Sequence, residues 1–215
     1  MNTKNLIEFL QDKDTIRQNW SIDYVNTSLE TNPMSYLNFA NEDLESSFDH
    51  KYINAISNTK RALDGQADRV MKLLGVKQQK TIGFPKKLEF LQKVDILAPR
   101  ILQKINRVRN LVEHEYLKPN PEQVEDFFDI VSLFVLSTER YVSHTVRTVE
   151  YNNEESEKFG IHYYVEISID NDNSQLLINI SNFKYGHTPQ KMVVNVKDED
   201  YFEILKYHFK KAEFR

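Results

Sequence analysis

The sequence has no cysteine, and this absence excludes a disulfide framework, catalysis by a thiolate and any zinc site built on cysteine ligands. It also has no long apolar run, since the most apolar stretch, Ile130 to Thr138, is far shorter than the ~20 residues that a helix needs to span a bilayer. Residues 1–20 carry charges throughout and lack the apolar segment of a secretory signal. We therefore expect a protein that is not inserted in a membrane and that is located in the cytoplasm.

The balance of charge is slightly acidic, with a formal net charge of −4 over 215 residues. Such a chain has no global attraction for nucleic acid, so RNA or DNA binding would depend on a local basic patch. Hydrophobic residues make up 40% of the chain and include 13 Phe and 11 Tyr, which rules out wholesale disorder. We expect one large domain, or one domain with an appendage.

Apolar residues recur with the period of an α-helix through the first two thirds of the chain. Asn32-Pro33 supplies a cap followed by a proline at the first helical position, which predicts a helix start. Asn120-Pro121 repeats this signal before the most apolar helix, whose wide apolar face indicates a central place in the core or contact with a partner. The predicted helices cover residues 34–47, 50–74, 85 to a break at 99, 99 to about 116, and 121 to about 146.

Beyond about residue 148 the apolar period changes from 3.6 to 2. Residues 161–169 alternate between apolar and polar side chains, as a half-buried strand does, and a turn is predicted from Asp170 to Ser174. Two more strands, at 176–180 and 190–197, and a final helix to about residue 210 complete the chain. With the acidic stretch 150–158 as a linker, the predicted organisation is an N-terminal extension over 1–31, a helical region over 32–148 and a small α+β segment over 159–215.

Three familiar ligand-binding patterns are incomplete in this sequence. Lys80-Thr81 resembles the end of a phosphate-binding P-loop, but the required second glycine is missing and no strand precedes it. Asp170, Asp172 and Ser174 resemble a calcium loop without its glycine and its closing glutamate, so a hairpin turn is the better interpretation. The six histidines include no pair with metal-ligand spacing on one helix face. We therefore expect no metal site and no cofactor.

The stretch from Arg109 to Tyr116 collects more phosphate-handling and proton-transfer side chains than any other window. One interpretation is structural, because Arg109 and Glu113 have the i,i+4 spacing of an ion pair and His114 suits the negative end of a helix dipole. A shared phosphate site imposes a geometric condition, since Arg109 and His114 point about 140° apart on a straight helix. Either the helix distorts there, or a second copy of the motif completes the site across a two-fold axis.

Arg109, Asn110, His114 and Tyr116 resemble the R-N-x3-H-x-Y motif of the HEPN superfamily. The resemblance covers about half of the chain and implies a mainly α fold, a HEPN-like helical bundle with a small C-terminal β-β-β-α appendage. It also implies a homodimeric, metal-independent endoribonuclease of the toxin–antitoxin or phage-defence type, which leaves a 2′,3′-cyclic phosphate.

The resemblance also assigns roles to single residues. His114 would be the general acid or base, Arg109 would bind the scissile phosphate, and Asn110 would orient one of them. Tyr116 matches a position that a partner nucleotidyltransferase adenylylates in one HEPN toxin group, or it supports the motif through a hydrogen bond. Near the motif, Lys104 and Arg107 belong to a basic strip that would bind the RNA substrate.

Two other functions remain open on the same residues. A non-catalytic HEPN module would bind a nucleotide or another protein, and an antitoxin or regulatory protein is an expected partner in either case. A purely structural helical adaptor would use the apolar face from Phe127 to Leu136 for a partner of a different kind. RNA cleavage that is lost on replacing Arg109 or His114 separates the nuclease from both alternatives.

Overall fold

The structure, a computed structural model, describes residues 1–77, 81–96, 103–104, 120–153, 163–182 and 189–211. It divides into two compact units. The sheet unit comprises Met1–Asn26, Lys72–Lys77 and Ser143–Arg215, and the helical unit comprises Thr27–Met71 and Gln78–Val142.

The described residues contain six longer helices and five strands. In chain order these elements are α1 (Thr3–Gln11), β1 (Ile16–Trp20), α2 (Pro33–Glu45), α3 (Lys51–Leu73), α4 (Phe84–Lys93), α5 (Pro121–His144), β2 (Thr148–Asn152), β3 (Tyr163–Asp170), β4 (Gln175–Asn182), β5 (Gln190–Asn195) and α6 (Asp200–Lys211). None of these helices is long and apolar enough to cross a membrane.

Capping residues fix where α2 and α5 of the helical unit begin. The Asn32 side chain accepts a hydrogen bond from the Met34 backbone N–H at 2.9 Å, and Pro33 occupies the first turn of α2. Asn120 does the same for α5, accepting from the Glu122 backbone N–H at 3.0 Å. Both starts were predicted from the Asn-Pro pairs and are confirmed, because these side chains satisfy N–H groups that a helix leaves without an internal partner.

The core of the helical unit is formed by one apolar face of each of its helices. These faces recur at spacings of three and four residues, as the sequence pattern predicted. Their buried members are Leu37 and Ala40 of α2, Leu63, Ala67, Val70 and Met71 of α3, Leu88 and Leu91 of α4, and Val124, Phe127, Val131, Phe134 and Val135 of α5.

A five-stranded antiparallel sheet in the order β1-β2-β3-β4-β5 forms the centre of the sheet unit. Strands β2 to β5 follow one another along the chain, whereas β1 comes from the N-terminal segment and pairs Trp20 with Val149. One face of the sheet is apolar and buried, with Val149, Tyr151, Val165, Ile167, Ile169, Leu176, Ile178, Ile180 and Val194. The helix α6 packs on this face, where His208 meets Tyr151, and α1 lies against α6.

The predicted fold class, a mainly α HEPN-like bundle with a small β-β-β-α appendage, is wrong. The sheet has five strands rather than three, and it forms the centre of a unit of its own. The prediction missed β1, and it placed the boundary between helix and linker where β2 lies. Strands β1 and β2 are short, and they pair with each other across more than a hundred residues of sequence. A local alternation of apolar and polar residues therefore does not identify them.

Candidate functional site

Most of the predicted site lies outside the described residues. Lys104 is the exception, and it is an exposed residue in the short helical stretch at 103–104. The residues outside the description are Arg107, Arg109, Asn110, His114 and Tyr116. Their roles therefore stay predictions from the sequence, and the structure defines only the elements on either side of them.

In sequence, the motif lies between two helices of the helical unit. Helix α4 ends at Lys93 and α5 begins at Pro121, and all the described elements of this unit are helical. Both α4 and α5 contact α3, and each contact includes an ion pair in which the cation is buried.

A buried polar network joins α3 to α5. Arg69, whose side chain is only 8% exposed, makes two hydrogen bonds to the Glu139 carboxylate, at 2.5 and 3.0 Å. Gln66 is fully buried and donates to the Thr138 hydroxyl at 2.9 Å, while its carbonyl oxygen accepts from Arg69 at 3.1 Å. A bidentate arginine–carboxylate contact fixes the rotation of α3 and α5 about their axes, because the paired hydrogen bonds tolerate little displacement.

A second buried ion pair joins α3 to α4. The Lys87 ammonium lies 2.5 Å from the Asp68 carboxylate, and the lysine side chain is only 8% exposed. Ions of this kind are rarely buried unless they are paired. The helix α3 is therefore held to both of the helices that flank the motif in sequence.

The buried ion pairs of α3 were not predicted, although the sequence contains a signal for one of them. Gln66 and Arg69 alternate with Leu63, Ala67 and Val70 on α3, so that an amide and a guanidinium fall within an apolar helical face. A polar residue at such a position requires a buried partner. The partners sit some 70 residues away on α5, and local spacing cannot identify them.

In the sheet unit, burial shifts the pKa values of two titratable groups that contact each other, Tyr151 and His208. The Tyr151 hydroxyl lies 3.0 Å from Nδ1 of His208, and both side chains are fully buried. Burial lowers the pKa of His208 to about 4; the Val146 backbone carbonyl opposes this shift and the charge of Arg17 adds to it. Burial also raises the pKa of the Tyr151 hydroxyl. Because no substrate reaches a fully buried imidazole, this pair has a structural role.

Among the described residues, no group of three His, Asp or Glu side chains is placed to hold a metal ion. The stretch from Asp170 to Ser174, which resembles a calcium loop, forms the hairpin turn that the sequence predicted. In it the Asp170 carboxylate accepts from the Asn173 side chain at 2.9 Å and from Gln175 at 2.9 Å. The Asn173 bond is the main reason why the pKa of Asp170 lies below its usual value.

Comparison with known proteins gives no relative from which a function can be transferred. The chain matches no protein-family model, no curated protein and no solved structure. The function is therefore inferred from the residues of this chain alone.

Proposed function

We propose that the chain is a metal-independent endoribonuclease whose reaction is carried by Arg109 and His114. The observation that carries this proposal is the Arg109-Asn110-x3-His114-x-Tyr116 motif, which brings a permanent cation, an amide and an imidazole into one short stretch. In sequence the motif lies between α4 and α5, two helices of the helical unit.

The proposed reaction is an internal transfer at phosphorus. One imidazole takes the proton from the ribose 2′-hydroxyl, the 2′-oxygen attacks the adjacent phosphorus, and the bond from phosphorus to the 5′-oxygen breaks. A second acid gives a proton to that leaving oxygen, so the products are a 2′,3′-cyclic phosphate and a free 5′-hydroxyl. Arg109 stabilises the negative charge that develops on the phosphoryl oxygens. A positioned imidazole contributes about 10²–10⁴-fold to such a step.

A homodimer supplies the second acid in this scheme. Because Arg109 and His114 point about 140° apart on a straight helix, one copy does not aim both groups at the same phosphate. His114 of the second copy then takes the complementary proton. Asn110 holds the imidazole or the phosphate in place, and Lys104 and Arg107 bind phosphates next to the cleaved one.

The proposal extends to biological setting and control. We place the reaction in the cytoplasm, in toxin–antitoxin or phage-defence systems, with an antitoxin or regulatory protein as a further partner. Tyr116 lies two residues beyond His114 in the motif, so adenylylation of its hydroxyl would add a phosphate that competes electrostatically with RNA.

The test is incubation of the purified chain with a mixed tRNA and mRNA pool in EDTA, beside Arg109→Ala and His114→Ala. Cleavage by the wild type alone, with cyclic phosphate ends, is the expected result. Cleavage that persists in both variants means a contaminating nuclease and contradicts the proposal. RNA binding without cleavage by a confirmed dimer favours the non-catalytic module instead. His144→Ala is a matched control, since it removes a histidine outside the motif.

A further inference from the structure

A groove runs between α2 and α5 on the helical unit, and the proposed nuclease chemistry does not use it. Its volume is about 390 Å³. The lining combines apolar side chains from both helices with amides, a carboxylate and a hydroxyl. These residues are Met34, Leu37, Asn38, Asn41 and Glu42 of α2 and Phe128, Ser132 and Leu136 of α5.

The α5 side of the groove exposes apolar surface. Leu136 is 58% exposed, and Leu133, three residues before it on α5, is 67% exposed. The sequence pattern predicted a wide apolar face on this helix, for the core or for contact with a partner, and these two leucines belong to its solvent-exposed part. Ser132 adds a further unsatisfied group, since its Oγ is buried without a hydrogen-bond partner among the described residues. An exposed apolar strip beside a groove is typical of a binding surface.

Three exposed carboxylates, Glu42, Glu125 and Asp129, lie on the two helices at or next to the residues that line the groove, and we call them the acidic rim. Neither α2 nor α5 as far as Thr138 contains a single Lys or Arg, although the chain has 28 of them. Glu125 and Asp129 stand three residues before Phe128 and Ser132, and such residues are neighbours on a helix surface. The acidic residues of the two segments are Glu42, Asp43, Glu45, Glu122, Glu125, Asp126 and Asp129.

We propose that this groove binds an amphipathic, basic helix of a partner protein. Apolar side chains spaced at i, i+3, i+4 and i+7 would enter between Leu37, Phe128 and Leu136, and Lys or Arg side chains on either flank would meet the acidic rim. Insertion of an apolar helix face into a groove is a recurring form of peptide recognition. The 13 residues of α2 extend about 20 Å, which suits a partner helix of about four turns.

The charge of the rim selects this partner over two others. RNA is repelled by the acidic rim of Glu42, Glu125 and Asp129, so the groove is not the RNA surface. A second copy of the chain, docked through the same face, brings one acidic rim against another, and like charges facing each other oppose association. A basic helix is attracted by both the apolar floor and the rim.

The probe for this proposal is a synthetic 14-residue peptide of Leu and Lys in which Leu follows the i, i+3, i+4, i+7 pattern. Its control has the same composition with Leu and Lys alternating, which cannot form one apolar helical face. Fluorescence anisotropy with the full chain gives the Kd of each peptide. We expect the helical pattern to bind at least tenfold more tightly, and equal affinity would overturn the proposal.

Variants of the chain locate the peptide. Glu42→Lys with Asp129→Lys, and separately Leu136→Ser, are expected to weaken binding at least tenfold, and these exposed positions leave the fold intact. Asp172→Lys with Glu199→Lys makes the same charge change in the sheet unit and is expected to alter the Kd less than twofold. Equal weakening by both double variants means nonspecific attraction to an acidic protein. If the chain associates with itself in the absence of peptide and Leu136→Ser abolishes this association, the groove binds a second copy of the chain instead.

Discussion

The Tyr151 hydroxyl lies 3.0 Å from Nδ1 of a histidine that is 0% exposed, His208. The two side chains join a strand of the sheet to α6, and they do so inside the core of the sheet unit. Because the tyrosine stays protonated, it can donate to a neutral imidazole. A protonated imidazole at the same place cannot accept that bond and carries an unsolvated charge, so the contact has a definite dependence on pH.

We predict that the sheet unit loses stability as the pH falls from 6.5 towards 4. The pKa of His208 is about 4 in the folded chain and 6.5 as its ordinary value, so between these values the unfolded chain binds a proton that the folded chain does not. The stabilisation is complete above pH 6.5 and disappears near pH 4. The stability lost between pH 6.5 and pH 4 amounts to about 3 kcal/mol, because each pH unit between the two pKa values of His208 contributes about 1.36 kcal/mol.

Urea unfolding at several pH values measures this effect. Trp20 is the only tryptophan and lies in β1, so its fluorescence reports on the sheet unit. His208→Leu should have a flatter profile between pH 4 and 6.5 than the wild type. His50→Gln, a change at an exposed histidine, should keep the wild-type slope. A His208→Leu profile parallel to that of the wild type would show that His208 does not titrate in this range.

The Arg69–Glu139 contact should be among the costliest to break in the helical unit. Arg69→Met leaves the carboxylate without its main partner and should lower the free energy of unfolding by about 3 kcal/mol, the lower end for buried pairs because Glu139 is 30% exposed. Arg69→Met with Glu139→Leu should cost less, because no buried charge remains. Lys86→Met, which breaks a pair 57% exposed on both sides, should cost less than about 1 kcal/mol. Unfolding followed by circular dichroism at 222 nm distinguishes these values.

Two glycines should respond in opposite directions to the same substitution. Gly75 has φ +66°, and an added Cβ would lie 2.6 Å from the Tyr201 hydroxyl, which donates to the Leu74 carbonyl. Gly75→Ala should therefore destabilise the sheet unit by about 2 kcal/mol. Gly65 lies within α3, and its added Cβ would meet Pro33 Cγ at 3.4 Å, an ordinary contact. Gly65→Ala should raise stability by up to about 1 kcal/mol. Thermal unfolding of both variants checks the signs.

Lys104 offers a test of the RNA surface that does not depend on cleavage. It is an exposed cation, and the proposed function places it against a phosphate. Lys104→Glu should weaken RNA binding similarly for all sequences and lower the slope of log K against log salt by at least about one. Binding is measured on His114→Ala so that the RNA stays intact. Lys191→Glu, at an exposed position of β5, should leave the slope unchanged, and an equal change in both variants would contradict a local surface.

The helices could be predicted closely from the sequence because their signals are local. Asn32-Pro33, Asn120-Pro121 and Gly75 mark ends that α2, α5 and α3 actually have, and the buried faces follow from the 3.6 period. The hairpin of β3 and β4 was also visible, since Asp170 to Ser174 separates two alternating stretches. In each case the stabilising partner lies within a few residues.

What escaped prediction depends on distant partners. The pairing of β1 with β2, the Arg69–Glu139 pair and the Tyr151–His208 contact all join residues that are far apart in sequence. The sequence left open whether Leu133 and Leu136 lie in the core or on a partner surface, because periodicity gives the orientation of a helix but not the width of the surface that its neighbours cover. The site residues Arg109, Asn110, His114 and Tyr116, by contrast, are predicted from their side-chain chemistry and spacing, and this prediction does not depend on the fold.

The N-terminal position of β1 has a consequence for synthesis of the chain on the ribosome. Ile16 and Trp20 emerge early, but Asn152 and Val149, to which they pair, emerge more than a hundred residues later. At about 5–20 residues per second the nascent strand waits roughly ten seconds for its partner. In that interval the residues of the helical unit emerge and can fold. The sheet is therefore completed late, and until β2 emerges the backbone N–H and C=O groups of β1 that later pair with β2 have no strand partner.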